Sequence, residues 1–297
     1  MLLDLRQDQP FLSWHRNMKA SAAKKNMTQA LSLGSRPITR KNLPKVPLRD
    51  FDGWFTATQG VSTVSNAVSE WDNLVPGGPN FTQSTANLRP ALTTINGLTA
   101  LAPDGASGRG AATDVLVEGD MIDNIGTGDF YIGIVYELET GGSFGTRTSI
   151  IQKLAGSGST NWNIQINTFM DFRTGSSVPY STSGSTALEL NKTTFLELVR
   201  TDSTLKTYKN GEEIKSASLP TDLDGDGDLK IGQSDMKIGE FICKKGTMPD
   251  ETRQVIEALM ARKWNIGSVS TAFAKRRASG FNVLPATNRF RNRLPRF

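Results

Sequence analysis

The sequence predicts an all-β protein, an antiparallel β-sandwich with one short C-terminal helix and extended N- and C-terminal arms. Three observations support this prediction. The composition combines 28 Gly and 13 Pro in 297 residues with 37% hydrophobic residues, which suits short strands joined by many turns. Apolar and polar residues alternate with period two in several segments. One segment near the C-terminal end repeats instead at helical spacing.

The strand predictions rest on segments that have one apolar and one polar face. The alternation covers part of residues 130–139, 149–153, 161–172 and 194–200. Within 205–214, Asn210-Gly211 separates two strand-like runs and predicts a hairpin, because both central residues of a type I′ turn need positive φ. Two more strands are predicted near 229–232 and 237–243.

One helix is predicted at the end of this region. Thr247 stands at a position that suits an N-cap, with Pro249 in the first turn and Asp250 three residues after Thr247. The apolar residues that follow at helical spacing are Val255, Ile256, Leu259, Met260 and Trp264. We therefore expect this helix to pack its apolar side against the sandwich.

Charge is divided unevenly along the chain. Residues 1–50 carry ten Lys and Arg against three acids, a net charge of +7, and residues 275–297 carry seven with no acid, again +7. The intervening residues 51–274 have a net charge of −9. Residues 1–50 show little aliphatic periodicity, so we do not expect them to form a hydrophobic core of their own. The predicted organisation is a basic N-terminal arm (1–50), a sandwich (51–267) and a basic C-terminal arm (268–297).

Several classes of protein are excluded by composition. The single cysteine, Cys243, leaves no internal disulfide framework and is expected to be a buried apolar residue. The sequence contains no run of 18 apolar residues, so no membrane span is predicted. The first residues carry acids where a signal peptide needs basic residues. The sole histidine, His15, lies in the arm without a matching Ser, Cys or Asp constellation, so we do not expect an enzyme.

The acidic turn Asp222-Leu-Asp-Gly-Asp-Gly-Asp228 is the candidate metal site. Asp222, Asp224 and Asp226 occupy the first, third and fifth positions of a calcium loop, and Asp228 follows them. The twelfth position holds Gln233 in place of an acid, and no predicted helices flank the turn. Calcium is thus the one cofactor that the sequence suggests, and a solvated acidic turn is the alternative interpretation.

The end of the C-terminal arm is the candidate partner-binding segment. Cations and apolar residues alternate there, and the residues expected to bind a partner are Arg289, Phe290, Arg291, Arg293, Leu294, Arg296 and Phe297. The apolar side chains supply burial that a phosphate tether does not require, which favours docking onto an acidic protein surface. Nucleic-acid binding through phosphates and a solvated tail are the alternatives.

Two other groups of residues have competing interpretations. Glu137-Leu-Glu139 is the nearest approach to the strand carboxylates of a glycoside hydrolase, but it holds only two acids, and solvent-facing strand acids are the alternative. Tryptophans either stack on sugars or fill the core, and those within the sandwich are Trp54, Trp71, Trp162 and Trp264.

The order of elements after residue 205 resembles the laminin-G-like, concanavalin-A-like family. The segments that carry the resemblance are Tyr208-Lys-Asn-Gly211, Leu229-Lys-Ile-Gly232, Ile238-Gly-Glu-Phe-Ile242 and the helix ending in Lys263-Trp-Asn-Ile266. Upstream, Glu70-Trp-Asp-Asn73, Asn87-Leu-Arg-Pro-Ala-Leu92 and Asn96-Gly-Leu-Thr-Ala-Leu101 are similar to the family's entry strands. The resemblance excludes both arms. It implies a two-sheet jelly-roll sandwich that binds glycans or acts as an adhesive or structural module in bacteria and their viruses.

Together these observations predict a non-enzymatic virion structural protein, a phage capsid decoration protein or a head or tail fibre component. Its arms would anchor it to a major capsid protein, another virion protein or copies of itself. The sandwich would project outward, where host-surface glycans are candidate ligands. Such a chain is assembled in the host cytoplasm and needs no secretion signal. A bacterial carbohydrate-binding lectin is the alternative, and a nucleic-acid-associated structural protein is a third class.

Overall fold

The computed structural model describes residues 46–103, 115–118, 121–123, 125–138, 148–154, 160–166, 170–174, 177–183, 189–220, 222–223, 227–232 and 236–266. Strands dominate these ranges, and all pairs of named strands are antiparallel. The predicted all-β, antiparallel class is therefore confirmed. Both predicted arms lie almost wholly outside the described residues.

The first eight strands precede residue 140. They are β1 (Gly53–Thr56), β2 (Val61–Val64), β3 (Ala67–Trp71), β4 (Phe81–Thr82), β5 (Ala91–Ile95), β6 (Leu98–Ala102), β7 (Val115–Glu118) and β8 (Phe130–Leu138). Two short 3-10 turns, at Leu48–Asp50 and Ala86–Leu88, accompany them.

The later elements end in the helix. They are β9 (Thr148–Leu154), β10 (Thr160–Ile166), β11 (Met170–Thr174), β12 (Ser177–Ser181), β13 (Thr193–Thr201), β14 (Thr204–Lys209), β15 (Glu212–Ser218), β16 (Leu229–Gly232), β17 (Met236–Lys245) and α1 (Asp250–Lys263). No helix in the described ranges combines the length and apolar character that crossing a membrane requires.

Most strand predictions hold, and one segment divides. Asn210 and Gly211 have φ of 53° and 80° and join β14 to β15, which confirms the predicted hairpin. The 161–172 alternation does not form one strand. It is shared between β10 and β11, which pair with each other, with Ile166 opposite Met170. A period-two pattern continues across such a connection when both strands bury the same face, so the sequence alone conceals the break.

All strands belong to one hydrogen-bonded network that is nearly closed into a barrel. One part runs β15-β14-β13-β8-β17 and continues from β17 to β1 and β6, while the other runs β12-β11-β10-β9-β16-β7-β4-β3. The pairing of Ala67 with Ala91 joins the parts through β3 and β5. At the far end, the Tyr180 hydroxyl of β12 donates to the backbone carbonyl of Lys215 in β15 at 3.2 Å. These pairings define one large sheet and do not confirm the predicted jelly-roll division into two.

The interior of this sheet holds the larger of two hydrophobic clusters. Aromatic rings supply much of its volume: Trp162 stacks on Phe172 with centroids 5.6 Å apart, and Phe55 lies 4.7 Å from Phe81. Cys243 is free and buried there, as expected from the sequence. Burial of such side chains supplies the main driving force of folding, at about 1.5–3 kcal/mol for each large apolar group.

The second cluster lies between α1 and the outer face of β8, β13 and β17. The apolar residues of the helix lie within it, as the pattern predicts: Val255, Ile256, Leu259, Met260 and Trp264. Val46 and Leu48 are buried in the same cluster. The predicted cap is wrong, because Pro249 is the N-cap residue and makes no side-chain cap bond. The Thr247 hydroxyl instead donates to Asp129 Oδ2 at 2.6 Å.

Buried charges accompany the helix onto the sheet. Arg253 of α1 forms ion pairs with Glu257 and, at 3.7 Å, with Glu197 of β13, and its guanidinium lies 3.8 Å from the centroid of the Tyr208 ring. The Tyr131 hydroxyl donates to Glu197 Oε1 at 2.9 Å. Burial, followed by the charge of Glu257, raises the pKa of Glu197 well above its usual range. Each of these polar groups therefore has a partner when the helix is docked.

The C-terminal end of α1 is fixed by a second buried carboxylate. Glu240 of β17 accepts hydrogen bonds from the indoles of Trp54 at 2.8 Å and Trp264 at 3.1 Å, and from Lys263 at 2.6 Å. Gly239 lies directly beneath the Trp264 ring, and a Cβ at this position would come within 2.5 Å of the indole. The glycine is needed because the helix packs this closely on the strand.

Candidate functional site

A row of polar side chains crosses the outer face of four adjacent strands, on the side of the molecule formed by β16, β9, β10 and β11. Lys230 pairs with Gln152, Gln152 with Asn163, and Asn163 with Arg173. Directly paired residues of antiparallel strands project from the same face of the sheet. The next row along the strands points inward and is apolar and buried: Ile231, Ile151, Ile164, Phe172 and Tyr180. We call Lys230, Gln152, Asn163 and Arg173 the outer row.

A second row of polar residues flanks it. Ser149 pairs with Gln165, Gln165 with Asp171, and Asp171 with Ser181. A register shift in β9 opposite Ile164 and Gln165 makes this possible, since it leaves Ile150 and Ile151 both buried and places Ser149 opposite Gln165. Such a bulge re-aims the side chains that follow it.

Hydrogen bonds link the two rows. Ser149 Oγ accepts from Asn163 Nδ2 at 2.9 Å and from Gln165 Nε2 at 3.4 Å, and Arg173 Nη1 donates to Gln165 Oε1 at 3.1 Å. The side chains are thereby held in fixed orientations. The surface offers amide groups, which both donate and accept hydrogen bonds, and a guanidinium group, which only donates them.

One acceptor of the outer row has no hydrogen-bond partner among the residues that the structure describes. Asn163 is only 8% exposed, and its Oδ1 atom makes no hydrogen bond in the described part of the chain. An unsatisfied buried polar atom costs about 1–3 kcal/mol. The outer row therefore carries a polar group that contributes little to stability and is oriented by Ser149.

The predicted calcium ligands are only partly described. Asp222 and Asp228 are exposed, whereas Asp224 and Asp226 lie outside the described residues. The backbone carbonyl of Asp228 accepts a hydrogen bond from the Leu154 amide at 2.9 Å, which fixes one end of the turn to β9. Among described residues no group of three acids, His or Cys is placed to hold a metal ion. Calcium binding stays a prediction.

The predicted partner-binding residues, 289–297, also lie outside the described residues, so docking of the C-terminal arm stays a prediction. Of the two candidate strand acids, Glu137 and Glu139, the second also lies outside the described residues. Glu137 forms an ion pair with Lys237 at 2.9 Å and accepts a hydrogen bond from Thr193 Oγ1 at 3.4 Å. These contacts give Glu137 a structural role.

The tryptophans of the sandwich fill the core. Each is fully buried: Trp54, Trp71, Trp162 and Trp264. Of the two interpretations of these rings, the structure therefore favours packing over stacking on a ligand. Their size explains this placement, because a buried indole contributes more apolar area than any other side chain can supply.

Sequence reasoning missed the outer row. The alternation in β10 does place Asn163 and Gln165 on the face opposite Trp162 and Ile164, so the polarity of that face is readable from the sequence. The pairing of β9 with β16 cannot be predicted from the sequence, because β16 follows β9 by more than seventy residues in the chain. Only the strand register brings Lys230 and Arg173 into one row.

The fold is similar to part of a sialidase. Over 83% of this chain and 38% of the other, it superposes on Trypanosoma rangeli sialidase in complex with the inhibitor DANA, with a TM-score of 0.51 and 11% sequence identity. The complex of the same sialidase with 2,3-difluorosialic acid gives a TM-score of 0.50 and 11% identity over 86% of this chain and 39% of that chain. This chain thus spans well under half the length of these enzymes.

A binding domain of botulinum neurotoxin serotype D has a TM-score of 0.48 and 12% identity over 71% of this chain and 51% of the other. No protein-family model and no curated protein matches the sequence. At these identities the likeness to the sialidase concerns the fold alone.

Proposed function

We propose that this chain is a non-enzymatic structural module that binds glycans on the outer face of β16, β9, β10 and β11. The observation that carries the proposal is the outer row together with the residues that fix it. Asn163, Gln165 and Arg173 are held by mutual hydrogen bonds at 2.9 to 3.4 Å. Sugar hydroxyls donate and accept hydrogen bonds, so oriented amide and guanidinium groups complement them. Groups already ordered before binding lower its entropic cost.

The contacts of the acidic side chains on the strands favour a binding role over catalysis. Hydrolysis of a glycosidic bond uses two carboxyl groups that face the same bond. Glu137 is engaged by Lys237 and Thr193, and Glu197 and Glu240 are buried beneath α1. Each of these acids thus has a structural partner.

The wider role in the proposal is that of a virion component, with a laminin-G-like, concanavalin-A-like jelly-roll sandwich that projects from a particle. Its support is the charge division of the sequence, +7 in 1–50 and +7 in 275–297 around an acidic region of −9. The arms would hold the subunit on an acidic protein surface of the particle or of another copy. A bacterial carbohydrate-binding lectin is the alternative, and it would share the same sugar-binding face.

The test is a screen of the full chain on a printed glycan array, followed by titration of the sugars that bind. Sialylated sugars belong in the array because the sialidase that shares the fold was solved with a sialic acid derivative. Gln152→Ala removes an amide from the outer row, and Gln254→Ala removes one from the half-exposed side of α1. One lost hydrogen bond of about 1 kcal/mol weakens binding about fivefold.

We expect this loss for Gln152→Ala and parent affinity for Gln254→Ala. Absence of binding to every glycan of the array would refute the proposal. Equal affinities of the two variants would place the sugar on another surface.

A further inference from the structure

We infer that the outer row selects glycans that carry a negative charge, and that Lys230 contacts the acidic group. The inference rests on the glycan-binding function proposed above and adds the chemical class of the ligand. Its starting point is the charge of the row. Two cations, Lys230 and Arg173, flank two amides, Gln152 and Asn163, and no carboxylate stands in this row.

This local charge is opposite to that of the region around it. Residues 51–274 have a net charge of −9, so an anionic sugar is repelled by most of the surface. The two cations of the outer row create a local exception, beside which the flanking row contributes one acid, Asp171. Such placement disfavours binding of acidic glycans elsewhere and favours it at the outer row.

The surroundings of Lys230 differ from those of the more buried lysines. The amines of those lysines each meet a carboxylate: Lys153 with Asp123, Lys209 with Glu189 at 3.3 Å, Lys237 with Glu137 at 2.9 Å and Lys263 with Glu240 at 2.6 Å. Lys230 is half-buried, and no carboxylate of the described residues lies within ion-pair distance of its amine. Its neighbours across the sheet are Val117 and Gln152. The exposed part of this ammonium group is in contact with water, so an anionic group of a ligand can replace the water and form an ion pair with it.

Arg173 forms the other end of the row. Its Nη1 atom donates to Gln165, which orients the planar guanidinium group. Three strand spacings of about 4.8 Å separate β16 from β11, so the two cations are about 14 Å apart at the backbone. This distance exceeds the width of one sugar ring. A ligand that contacts both cations is therefore an oligosaccharide, with its acidic group at Lys230 and its neutral hydroxyls against Gln152 and Asn163.

The acidic group is a carboxylate or a sulfate ester, since both present anionic oxygens to an ammonium. Sugars that differ only in the acidic group distinguish the carboxylate from the sulfate ester. The probes are 3′-sialyllactose, 3′-sulfated lactose and unmodified lactose, together with the acidic glycans of the array and their neutral parent sugars. Lys230→Gln removes the charge while keeping a polar side chain of similar length. Lys215→Gln on β15 is the matched control, because Lys215 is also half-exposed, has no ion pair among the described residues and lies outside the row.

We expect acidic glycans to bind at least tenfold more tightly than their neutral parents, and Lys230→Gln to reduce this preference to about twofold. Lys215→Gln should leave it unchanged. Added salt should weaken binding of the acidic sugars by the parent more than by Lys230→Gln, because screening acts on the charge pair. Preference for the carboxylate or for the sulfate identifies the acidic group.

Equal binding of acidic and neutral sugars would overturn the inference and leave the proposed function standing. A preference for acidic sugars that persists in Lys230→Gln would also overturn it. Absence of binding to any glycan would refute the proposed function, and the inference with it.

Discussion

Polar side chains have opposite surroundings on two outer surfaces of the sheet. On β8 and β13, α1 covers the sheet, and Glu197 and Tyr131 are fully buried with partners on both elements. On β9, β10 and β11, no described helix covers the sheet, and the polar residues contact one another at 2.9 to 3.4 Å. Both surfaces carry polar residues at outward strand positions.

The two surfaces differ in whether their polar groups are compensated within the chain. Under α1 the charges are compensated within the chain, so their removal leaves a buried partner unsatisfied. In the outer row, Asn163 Oδ1 and the Lys230 amine lack such compensation from described residues. Stability therefore depends on the first surface, and binding is expected at the second.

We expect the largest difference in stability between substitutions of two arginines, Arg253 and Arg173. Arg253→Ala leaves Glu197 and Glu257 buried without their shared cation, and we expect a loss of about 3–5 kcal/mol in the free energy of unfolding. Arg173→Ala, on the half-exposed outer face, should cost less than about 1 kcal/mol. Urea unfolding followed by tryptophan fluorescence measures both. Similar losses in the two variants would contradict the distinction between the surfaces.

The second prediction concerns pH. Because burial, followed by the charge of Glu257, raises the pKa of Glu197, its contribution to stability is complete below the unfolded value of about 4.3. That contribution is lost as the pH rises through the folded pKa. Glu197→Gln, which stays neutral, should therefore remove part of the decrease in unfolding free energy with rising pH, as measured by urea unfolding at several pH values.

Glu189→Gln is the control for the pH experiment. A hydrogen bond from Lys192 lowers the pKa of Glu189, so its contribution has the opposite sign and is lost as the pH falls. Glu189 is exposed, and solvent screens its interactions. A parent-like pH profile for Glu197→Gln would show that this carboxyl is not held in its neutral form.

The smallest expected effect on stability is that of Asn163→Leu. The substitution removes the unsatisfied Oδ1 atom, which favours the folded state, and the hydrogen bond from Nδ2 to Ser149 Oγ, which opposes this gain, so the free energy of unfolding should change by less than about 1 kcal/mol. Thr207→Val removes the hydroxyl that lies 2.8 Å from the Tyr180 hydroxyl in the interior, and should cost about 1–3 kcal/mol. Thermal melts compare the two. A larger loss for Asn163→Leu would give Asn163 a structural role.

Local sequence patterns were enough to predict the kinds of element and several of their boundaries. Period-two alternation identified β8 and β13, the Asn210-Gly211 pair identified the β14–β15 turn, and helical spacing identified α1. These signals are local, because side-chain direction follows directly from backbone geometry within one strand or helix. The unevenness of charge along the chain is likewise a property of the sequence.

Contacts between polar residues depend instead on the tertiary fold. Strand order and register depend on packing between segments far apart in the chain, and a shift of one residue would move every side chain to the opposite face. Lys230 and Gln152 belong to one row only because β16 pairs with β9, and Arg253 meets Glu197 only because α1 crosses β13. The Thr247 cap failed for the same reason: Asp129, distant in sequence, binds the hydroxyl that a local rule assigned to the helix.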